Sequence, residues 1–547
     1  MIKNKDKTVL IIDDMQVARA SLQITMSNLE FGKIRTVATV KEAMEAIAKM
    51  DYDVILCDYY MGGSADGQQF LEFIRSKNVI KSSTIFVMVT AEQGYTQVIV
   101  AAECAPDDYL LKPFTGAAIN ARLERLFERN ELFADLFKLY DKKNYADAIE
   151  ACDEIIKGKS QFRIDALRLK GECLLLSKEP LKAIEHFQQI LQSREIPWAR
   201  LGLAKAYADN GDMGKAESVT RSVLRDNPKY MAAHDFLARL LAKLNKKRES
   251  LAVLENAARL SVKSVTRQRS IGTLALELGD VNKSETAMMA VIERNKNSPM
   301  KEPSDYAILS NIHLEKNEAS KALELLKDAR DSFKDIFGLD AVALSSAEAL
   351  VFKRTGNDQA AMKALNNAIE GLQGMENLPE TLSLSLAKAC LENNKPEQGF
   401  NLMKNLLQTN PDDKAKQALV QEAMLKSGVN QTDIDNLIAS SIKEVMQINN
   451  KGVLLARDGE YEAAGKLLKS AANRVPTNQQ FVSNATAILL ADLEKNGLDF
   501  SKLADAKMYL ASLKDLNPSH QKLPTLIETL QRIENLHSLT LQDVSND

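Results

Sequence analysis

The first 128 residues alternate between short, continuous apolar runs and longer segments whose apolar residues recur at helical spacing. Continuous apolar runs are typical of strands that are buried on both faces of a sheet, and each run here is followed by a segment that predicts a helix. Five such β/α units predict a doubly wound α/β domain, in which helices cover both faces of a five-stranded parallel sheet. The predicted strands are 8–14, 33–38, 52–58, 83–90 and 107–111, and the predicted helices are 15–31, 40–50, 67–77, 95–104 and 117–130.

From about residue 131 the strand pattern stops, and amphipathic segments of helical length continue to the end of the sequence. A turn residue that ends one helix and a small residue that lets the next helix approach closely both recur every 34 positions. This part resembles tetratricopeptide repeats, which have that period. We expect an all-α superhelix of about ten units, with a degenerate pair around 413–448. The turn residues are Gly211, Asn245 and Gly279, and the small residues are Ala216, Ser250 and Ser284.

These patterns divide the 547 residues, which are too many for one hydrophobic core, into three segments. We predict an α/β domain at 1–128, the repeat region at 129–535 and a flexible tail at 536–547. Residues 117–141, which join the first two segments, contain neither proline nor glycine. That composition favours a stiff connection between the α/β domain and the repeats.

Composition narrows the classes of partner and compartment. The net charge is −3, so no overall positive field favours nucleic acid or an anionic membrane, and we expect neither as a partner. The five cysteines are scattered and form no CxxC pair, as is typical of a reducing compartment. The sequence has neither the features of a signal peptide nor an apolar run of membrane-spanning length, so we expect a cytoplasmic protein.

Polar side chains end four of the predicted strands: Asp13 and Asp14, Asp58, Thr90 and Lys112. The carboxyl ends of parallel strands meet at one edge of such a sheet, where ligands bind. Three carboxylates together favour Mg²⁺, and a carboxylate can accept a phosphoryl group as an aspartyl phosphate. Asp58 is the predicted nucleophile because it ends the most apolar central strand. Lys112 would neutralise charge on the transferred group, and Thr90 would donate a hydrogen bond to it.

Two other interpretations of these residues are open to argument. Acids at strand ends can simply cap the helices that follow, but five suitable residues in the right strand order favour a site. Phosphatases of the haloacid dehalogenase type also use a strand-end Asp nucleophile with Thr and Lys. Their first strand ends in DxD, whereas Asp13 and Asp14 are adjacent here.

The stretches "IIDDM", "ILCDYYM", "VMVTA" and "DDYLLKPF" resemble the motifs of the receiver domain of two-component response regulators, which has a flavodoxin-like fold. By that resemblance Asp58 is the phosphoacceptor. Asp14, Asp58 and the backbone carbonyl of Tyr60 would bind Mg²⁺ directly, while Asp13 would act mainly through water. The resemblance also implies that Thr90 and Tyr109 are a switch pair and that Lys112 contacts the phosphoryl oxygens.

The resemblance implies a response regulator that accepts a phosphoryl group from a histidine kinase or a phosphotransfer protein. Its output would be the binding of an as yet unknown protein on the concave surface of the repeats, and a homodimer is compatible with the sequence. Apart from self-catalysed phosphoryl transfer and autodephosphorylation, we expect no enzymatic activity. The alternatives are a constitutive scaffold with a docking receiver and a repeat protein that promotes dephosphorylation of another signalling protein.

Overall fold

The computed structural model describes residues 4–61, 67–91, 106–158, 160–261, 264–296, 301–333, 336–372, 378–409, 414–476 and 478–543. The helix predicted at 95–104 lies outside these residues. The chain divides into two compact units. One unit comprises Met1–Leu203, Val219–Ser270 and Met289–Lys301, and the other comprises Ala204–Ser218, Ile271–Met288 and Glu302–Asp547.

The first unit begins with a five-stranded parallel sheet, as predicted. Its strand order is β2-β1-β3-β4-β5, so the chain changes direction across the sheet after β2. That order places the carboxyl ends of β1 and β3 side by side. The strands are β1 (Thr8–Ile12), β2 (Lys33–Val37), β3 (Val54–Asp58), β4 (Ile85–Thr90) and β5 (Asp108–Leu111).

Alternate residues of each strand face opposite sides of the sheet, and each side has its own core. In β1, Leu10 and Ile12 pack on the side of α2 and α3, while Val9 and Ile11 pack on the side of α1 and α4. Because both faces are covered, β1, β3 and β4 are buried along almost their whole length, which explains the continuous apolar runs there, whereas the edge strand β2 is partly exposed. These helices are α1 (Gln16–Asn28), α2 (Val40–Ile47), α3 (Gly67–Ser76) and α4 (Gly116–Leu132).

Asp107, at the amino end of β5, ties the sheet to the last turn of α4. One carboxylate oxygen accepts a hydrogen bond from Arg129 Nη2 at 2.7 Å. The other accepts from Arg75 Nη2 at 3.0 Å and from the backbone N–H of Phe86 at 2.8 Å. One partly buried acid thereby connects β4, β5, α3 and the end of α4.

Two further contacts extend this junction towards the first repeat. Asn130 Nδ2 donates to the carbonyl of Ser83 at 2.5 Å, and Ser82 Oγ donates to Asp141 at 2.6 Å. Asp141 ends α5 (Ala134–Asp141), which follows α4 after a break at Phe133. Residues 82–83 precede β4, so the first repeat helix contacts the edge of the sheet opposite the strand ends that carry the predicted site.

The rest of the described chain is helical, which confirms the predicted all-α region. Helix pairs are separated by a residue in the left-handed backbone conformation, including Gly211 (φ 84°), Asn245 (φ 59°) and Gly279 (φ 79°). The helices are α6 (Tyr145–Lys157), α7 (Arg163–Leu176), α8 (Pro180–Ser193), α9 (Pro197–Asp209), α10 (Met213–Asp226), α11 (Met231–Lys243), α12 (Lys247–Leu260), α13 (Val265–Glu277), α14 (Val281–Asn295), α15 (Pro303–Glu315), α16 (Ala319–Ser332), α17 (Gly338–Arg354), α18 (Asp358–Gly371), α19 (Glu380–Glu392), α20 (Pro396–Thr409), α21 (Lys414–Lys426), α22 (Gln431–Arg457), α23 (Tyr461–Arg474), α24 (Gln479–Asn496), α25 (Phe500–Leu516) and α26 (Leu523–Asp543).

The small residues of the 34-residue period lie where two helices of a repeat meet. Ser250 Oγ on α12 donates to the carbonyl of Ala238 on α11 at 2.7 Å. Ser284 Oγ on α14 makes the same contact with the carbonyl of Gly272 on α13, also at 2.7 Å. A larger side chain at either serine would separate the two helices, so the period reflects close packing.

Two helices of the repeat region extend beyond the bounds that the sequence indicates. The degenerate pair predicted around 413–448 falls on α21 and most of α22, a 27-residue helix that runs on to Arg457. The segment 536–547, predicted to be a flexible tail, is helical as far as Asp543 because α26 continues into it. Within the described residues, no helix has both the length and the apolar character needed to cross a membrane.

Helix packing in the first unit generates a stability prediction at Gly202. A methyl group added there would lie 2.4 Å from the ring of Phe187, well inside van der Waals contact. We expect Gly202→Ala to lower the free energy of unfolding by about 1–3 kcal/mol, the usual range for overpacking. Chemical denaturation followed by far-UV circular dichroism measures the change.

Gly465 provides a matched control, because it is also inside a helix but has no atom within 4 Å of the added methyl group. Gly465→Ala should leave stability unchanged or raise it slightly, since alanine favours helix more than glycine does. Equal effects of the two substitutions would contradict the packing argument.

Candidate functional site

Three carboxylates meet at the carboxyl edge of the sheet. Asp13 and Asp14 follow β1, and Asp58 is the last residue of the neighbouring strand β3. One carboxylate oxygen from each lies within 4.8 Å of the others. Asp13 is fully buried and Asp58 is 8% exposed, whereas Asp14 is exposed to solvent. The structure thus brings together the three acids that the sequence predicts for the metal site.

Lys112 bridges the two buried acids. Its ammonium donates to Asp58 Oδ1 at 2.7 Å and to Asp13 Oδ2 at 2.9 Å. The lysine directly follows β5, and its backbone N–H donates to the carbonyl of Thr90 at the end of β4, at 2.7 Å. Three carboxylates and one ammonium leave two excess negative charges, and every acidic ligand atom is oxygen. This set therefore fits a hard divalent cation such as Mg²⁺.

The pKa values of Asp58 and Lys112 are both raised, but for different reasons. Burial raises the pKa of Asp58, and the nearby charges of Asp13 and Asp14 add to this, while the contact with Lys112 opposes it. Burial lowers the pKa of Lys112, but its hydrogen bonds to Asp58 and Asp13 outweigh burial and leave that pKa raised. Lys112 is therefore a firmly charged ammonium, and ionisation of Asp58 costs more free energy than ionisation of an exposed aspartate.

The backbone around the first two acids is fixed by contacts that no motif in the sequence indicates. Met15 N–H donates to Asp13 Oδ1 at 2.9 Å, which orients this carboxylate across the start of α1. Arg19 Nη1 donates to the carbonyls of Asp13 and Asp14 at 2.6 and 2.9 Å. The sequence does place an arginine one turn into the helix that follows the paired acids. It does not show that Arg19 contacts their backbone carbonyls rather than their carboxylates.

The chain after Asp58 approaches the site closely at Gly67. Its backbone N–H donates to the carbonyl of Tyr59 at 3.1 Å. A Cβ atom added at Gly67 would lie 2.2 Å from the carbonyl oxygen of Asp58, so only glycine fits without moving the backbone. The glycine therefore allows α3 to begin directly behind the end of β3.

The other predicted site residues lie around this edge. Thr90 is buried at the end of β4, one position beyond the Asp58–Val89 pair of the sheet. Tyr109 on β5 is opposite Met88 and packs against the core on the α2 and α3 side. Tyr60 follows β3 with 40% of its side chain exposed. Their roles as switch pair and metal ligand stay predictions.

A second candidate site lies in the second unit, where a cleft of about 610 Å³ is lined by the first helices of successive repeats. Its lining includes a row of leucines, one from each of five helices, and a cluster of charged residues. Glu315 contacts Lys388 and Lys426, the latter at 2.8 Å. Burial would raise the pKa of Glu315, but the two lysines lower it to about 2. The leucines are Leu276, Leu314, Leu350, Leu384 and Leu419.

Comparisons with known proteins agree with the division of the chain into an α/β domain and a helical repeat region. Residues 9–124 match the profile of the family described as "response regulator receiver domain", and residues 174–240 match one described as "tetratricopeptide repeat". Over 128 residues the chain is 31% identical to chemotaxis protein CheY-3 of Vibrio cholerae, covering 23% of this chain and 97% of that protein.

Two solved structures illustrate the similarity of each part. The receiver domain of the Francisella response regulator 1452 is 26% identical, with 23% of this chain and 98% of that chain covered and a TM-score of 0.21. A tetratricopeptide repeat protein from Parabacteroides merdae is 14% identical, with 47% of this chain and 96% of that chain covered and a TM-score of 0.32.

The pKa shift at Asp58 predicts a pH-dependent stability difference. A carboxyl group whose folded pKa is raised costs stability above that pKa, and the cost disappears as the pH falls through it. In buffer without Mg²⁺ at neutral pH, Asp58→Asn should therefore slow amide hydrogen exchange in β1 and β3. The difference from wild type should vanish as the pH is lowered towards the ordinary Asp pKa of 3.8.

Asp53 provides a control of opposite sign in the same sheet. Burial opposes its ionisation, but hydrogen bonds from Thr8 and Lys7 outweigh burial and lower its pKa. Asp53→Asn should therefore speed exchange at neutral pH, and this loss should fade as the pH falls through the depressed folded pKa. The same sign of effect in both variants would contradict the pKa assignment.

Proposed function

Because this chain belongs, through its amino-terminal domain, to the response regulator receiver family, we propose that it accepts a phosphoryl group on Asp58 and signals through its repeats. The observation that carries the proposal is the bridge from Lys112 to the buried carboxylates of Asp13 and Asp58. A domain that served only for docking would gain nothing from confining three acids and one ammonium at one edge of the sheet.

In the proposed reaction a carboxylate oxygen of Asp58 attacks the phosphorus of a phosphodonor. A P–O bond to aspartate forms as the bond from phosphorus to the leaving group breaks, and the leaving group takes the electron pair. Lys112 already lies 2.7 Å from Asp58 Oδ1, so its ammonium is in place to neutralise charge on the phosphoryl oxygens. In hydrolysis, water attacks the same phosphorus and the P–O bond to Asp58 breaks. The electron pair stays on the carboxylate, and inorganic phosphate is released.

Asp13, Asp14 and Asp58 would hold Mg²⁺, with the Tyr60 carbonyl as a further ligand implied by the family. When bound, Mg²⁺ neutralises carboxylate and phosphoryl charge and so allows two anions to meet. Asp13 is oriented for this by Met15 N–H and Lys112, while Asp14 is exposed to solvent. Self-catalysed transfer and autodephosphorylation are the only chemistry that we propose for the chain.

The donor that suits this site is the phosphohistidine of a histidine kinase or a phosphotransfer protein. Its P–N bond breaks as the P–O bond to Asp58 forms, and the imidazole leaves. The support for this class of donor comes from family membership and not from the geometry of the site. The geometry fits any donor whose phosphorus can reach Asp58.

The contacts at Asp107 give the receiver a physical route to the repeats. Asp107 binds Arg129 and the N–H of Phe86, so the end of α4 is fixed to the amino ends of β4 and β5. Thr90, the residue expected to respond to phosphorylation, ends the same strand β4. A shift of β4 or β5 would therefore reach the first repeat helix through Asp107 and the Ser82–Asp141 contact.

The cleft of the second unit is the proposed partner site. A row of leucines can bury apolar side chains of a partner, and the ionised Glu315 with its two lysines offers donors and an acceptor for orientation. Concave surfaces of this kind recognise a peptide or a helix of another protein. The chain would thus act as a phosphorylation-responsive adaptor.

Phosphorylation of the purified chain provides the direct test. With Mg²⁺ and acetyl phosphate, intact mass spectrometry should show the gain of one acid-stable, base-labile phosphoryl group. Asp58→Ala should abolish the gain because the attacking oxygen is lost, and Lys112→Ala should slow it by about 100-fold or more. Asp53→Asn, which removes a carboxylate at the opposite edge of the same sheet, is the matched control and should react like wild type.

A phosphoryl gain that persists in Asp58→Ala would contradict the assigned acceptor. The absence of any gain in wild type, together with no Mg²⁺-dependent change in intrinsic fluorescence or hydrogen exchange at the site, would favour the constitutive scaffold instead.

The coupling route generates a separate prediction. Phosphorylation should change amide hydrogen exchange in α5 and α6, and Arg129→Met should remove most of that change because the link to Asp107 is lost. Arg125→Met, at an exposed position on the same helix, should leave the response intact. Equal responses in wild type and Arg129→Met, at equal phosphorylation, would show that the signal does not pass through Asp107.

A further inference from the structure

Within the repeat region of the second unit, one imidazole and two carboxylates from three successive elements face one another. Glu285 lies on α14, His313 on α15 and Glu318 immediately before α16. His313 Nδ1 is 2.8 Å from Glu318 Oε2 and 3.6 Å from Glu285 Oε1. Of the described residues, only this group and the acids of the receiver bring three ligand atoms within 4.8 Å of one another.

The position of His313 is unusual among the repeats. At the left-handed turns between paired helices, the residue that follows the turn donates its N–H to the carbonyl five residues earlier. Glu318 makes this bond to His313 at 2.8 Å, but the residue five positions back is apolar or aromatic at the other described turns of this kind. A buried imidazole therefore replaces a packing residue at this turn. The residues at the equivalent position are Leu139, Leu174, Tyr207, Leu241, Ala275, Phe352, Cys390, Met424 and Leu455.

Two lysines contact the outer oxygens of the carboxylates. Lys316 Nζ is 2.6 Å from Glu285 Oε2, and Lys321 Nζ is 3.0 Å from Glu318 Oε1. Each carboxylate is thereby oriented with its other oxygen towards His313.

We propose that Glu285, His313 and Glu318 bind one divalent transition-metal ion of the zinc class. In a tetrahedral zinc site with bonds of about 2.0–2.2 Å, ligand atoms lie about 3.3–3.6 Å apart. The distances of 2.8 and 3.6 Å from His313 Nδ1 need only small side-chain rotations to reach that value. Coordination uses the lone pair of Nδ1, and the single proton of the neutral imidazole then lies on Nε2.

The ligand set selects the class of metal. Imidazole nitrogen favours zinc and its first-row neighbours over Mg²⁺ and Ca²⁺, which prefer oxygen alone. Three protein ligands leave a fourth position for water or for a side chain of a partner. Because the ligands come from α14, α15 and the residue immediately before α16, the ion would fix the angle between consecutive repeats. Lys316, the partner of Glu285, also lines the 610 Å³ cleft, so the site adjoins the proposed partner surface.

The test is a titration of the full chain with Zn²⁺ against a chromophoric chelator, with excess Mg²⁺ present to occupy the receiver. Wild type should bind one Zn²⁺ that His313→Asn weakens at least tenfold. Asparagine can still donate to Glu318 in place of Nδ1 but is a poor zinc ligand. Glu318→Gln should weaken binding similarly, and Co²⁺ should give the visible absorption of a four-coordinate site that both substitutions remove.

His520→Asn is the control, because it removes an imidazole outside the cluster and should leave Zn²⁺ affinity unchanged. Repeating the titration in Asp58→Asn separates any zinc bound by the receiver, so the outcome is independent of the proposed phosphorylation. No bound Zn²⁺ in wild type would overturn the proposal. A Zn²⁺ affinity of His313→Asn equal to that of wild type would also overturn it. Circular dichroism checks that each variant is folded.

Discussion

The bridge from Lys112 to Asp13 and Asp58 is the interaction on which the receiver depends. Carboxylates that are buried together repel one another and lose hydration, so without a cation the edge of the sheet would be unstable. The lysine neutralises only one of three charges, which leaves the site matched to a divalent cation and to a phosphoryl group. The strand order β2-β1-β3-β4-β5 makes this possible, because it places the ends of β1 and β3 together.

The same sheet has a second charged edge with a different role. At its amino end Asp107 forms ion pairs with Arg75 and Arg129, both at 3.0 Å or less. One edge of the sheet therefore holds reactive acids that lack full compensation, while the opposite edge holds an acid that two arginines compensate. This separation keeps the chemistry away from the junction with the repeats, yet both edges share the strands β4 and β5.

Much of this arrangement is predictable from sequence where the physical signal is local. Continuous apolar runs specify the buried strands, and a run that ends in Asp58 specifies where that acid lies. The 34-residue period of Ser250 and Ser284 reflects helix contacts that the structure contains. Contacts between distant elements are not predictable in this way because no local pattern encodes them. In the sequence Asp107 is simply an acid at the start of a predicted strand. Nothing near it indicates that it binds Arg129, which is 22 residues away. The cluster at His313 likewise needs the fold to bring Glu285 to it.

Helix α22 bears on how the repeat array is built. Its first part packs through Ile434 and Leu437 against the core of α20 and α21, and its last part meets Leu468 on α23 through Gly452. The same continuous helix thus closes one repeat and opens the next. Elsewhere in the described chain the units consist of separate helices, so a whole unit can be gained or lost without cutting a helix. At α22 a cut would leave two half-helices with exposed cores, so duplication or loss of units there must involve both repeats together.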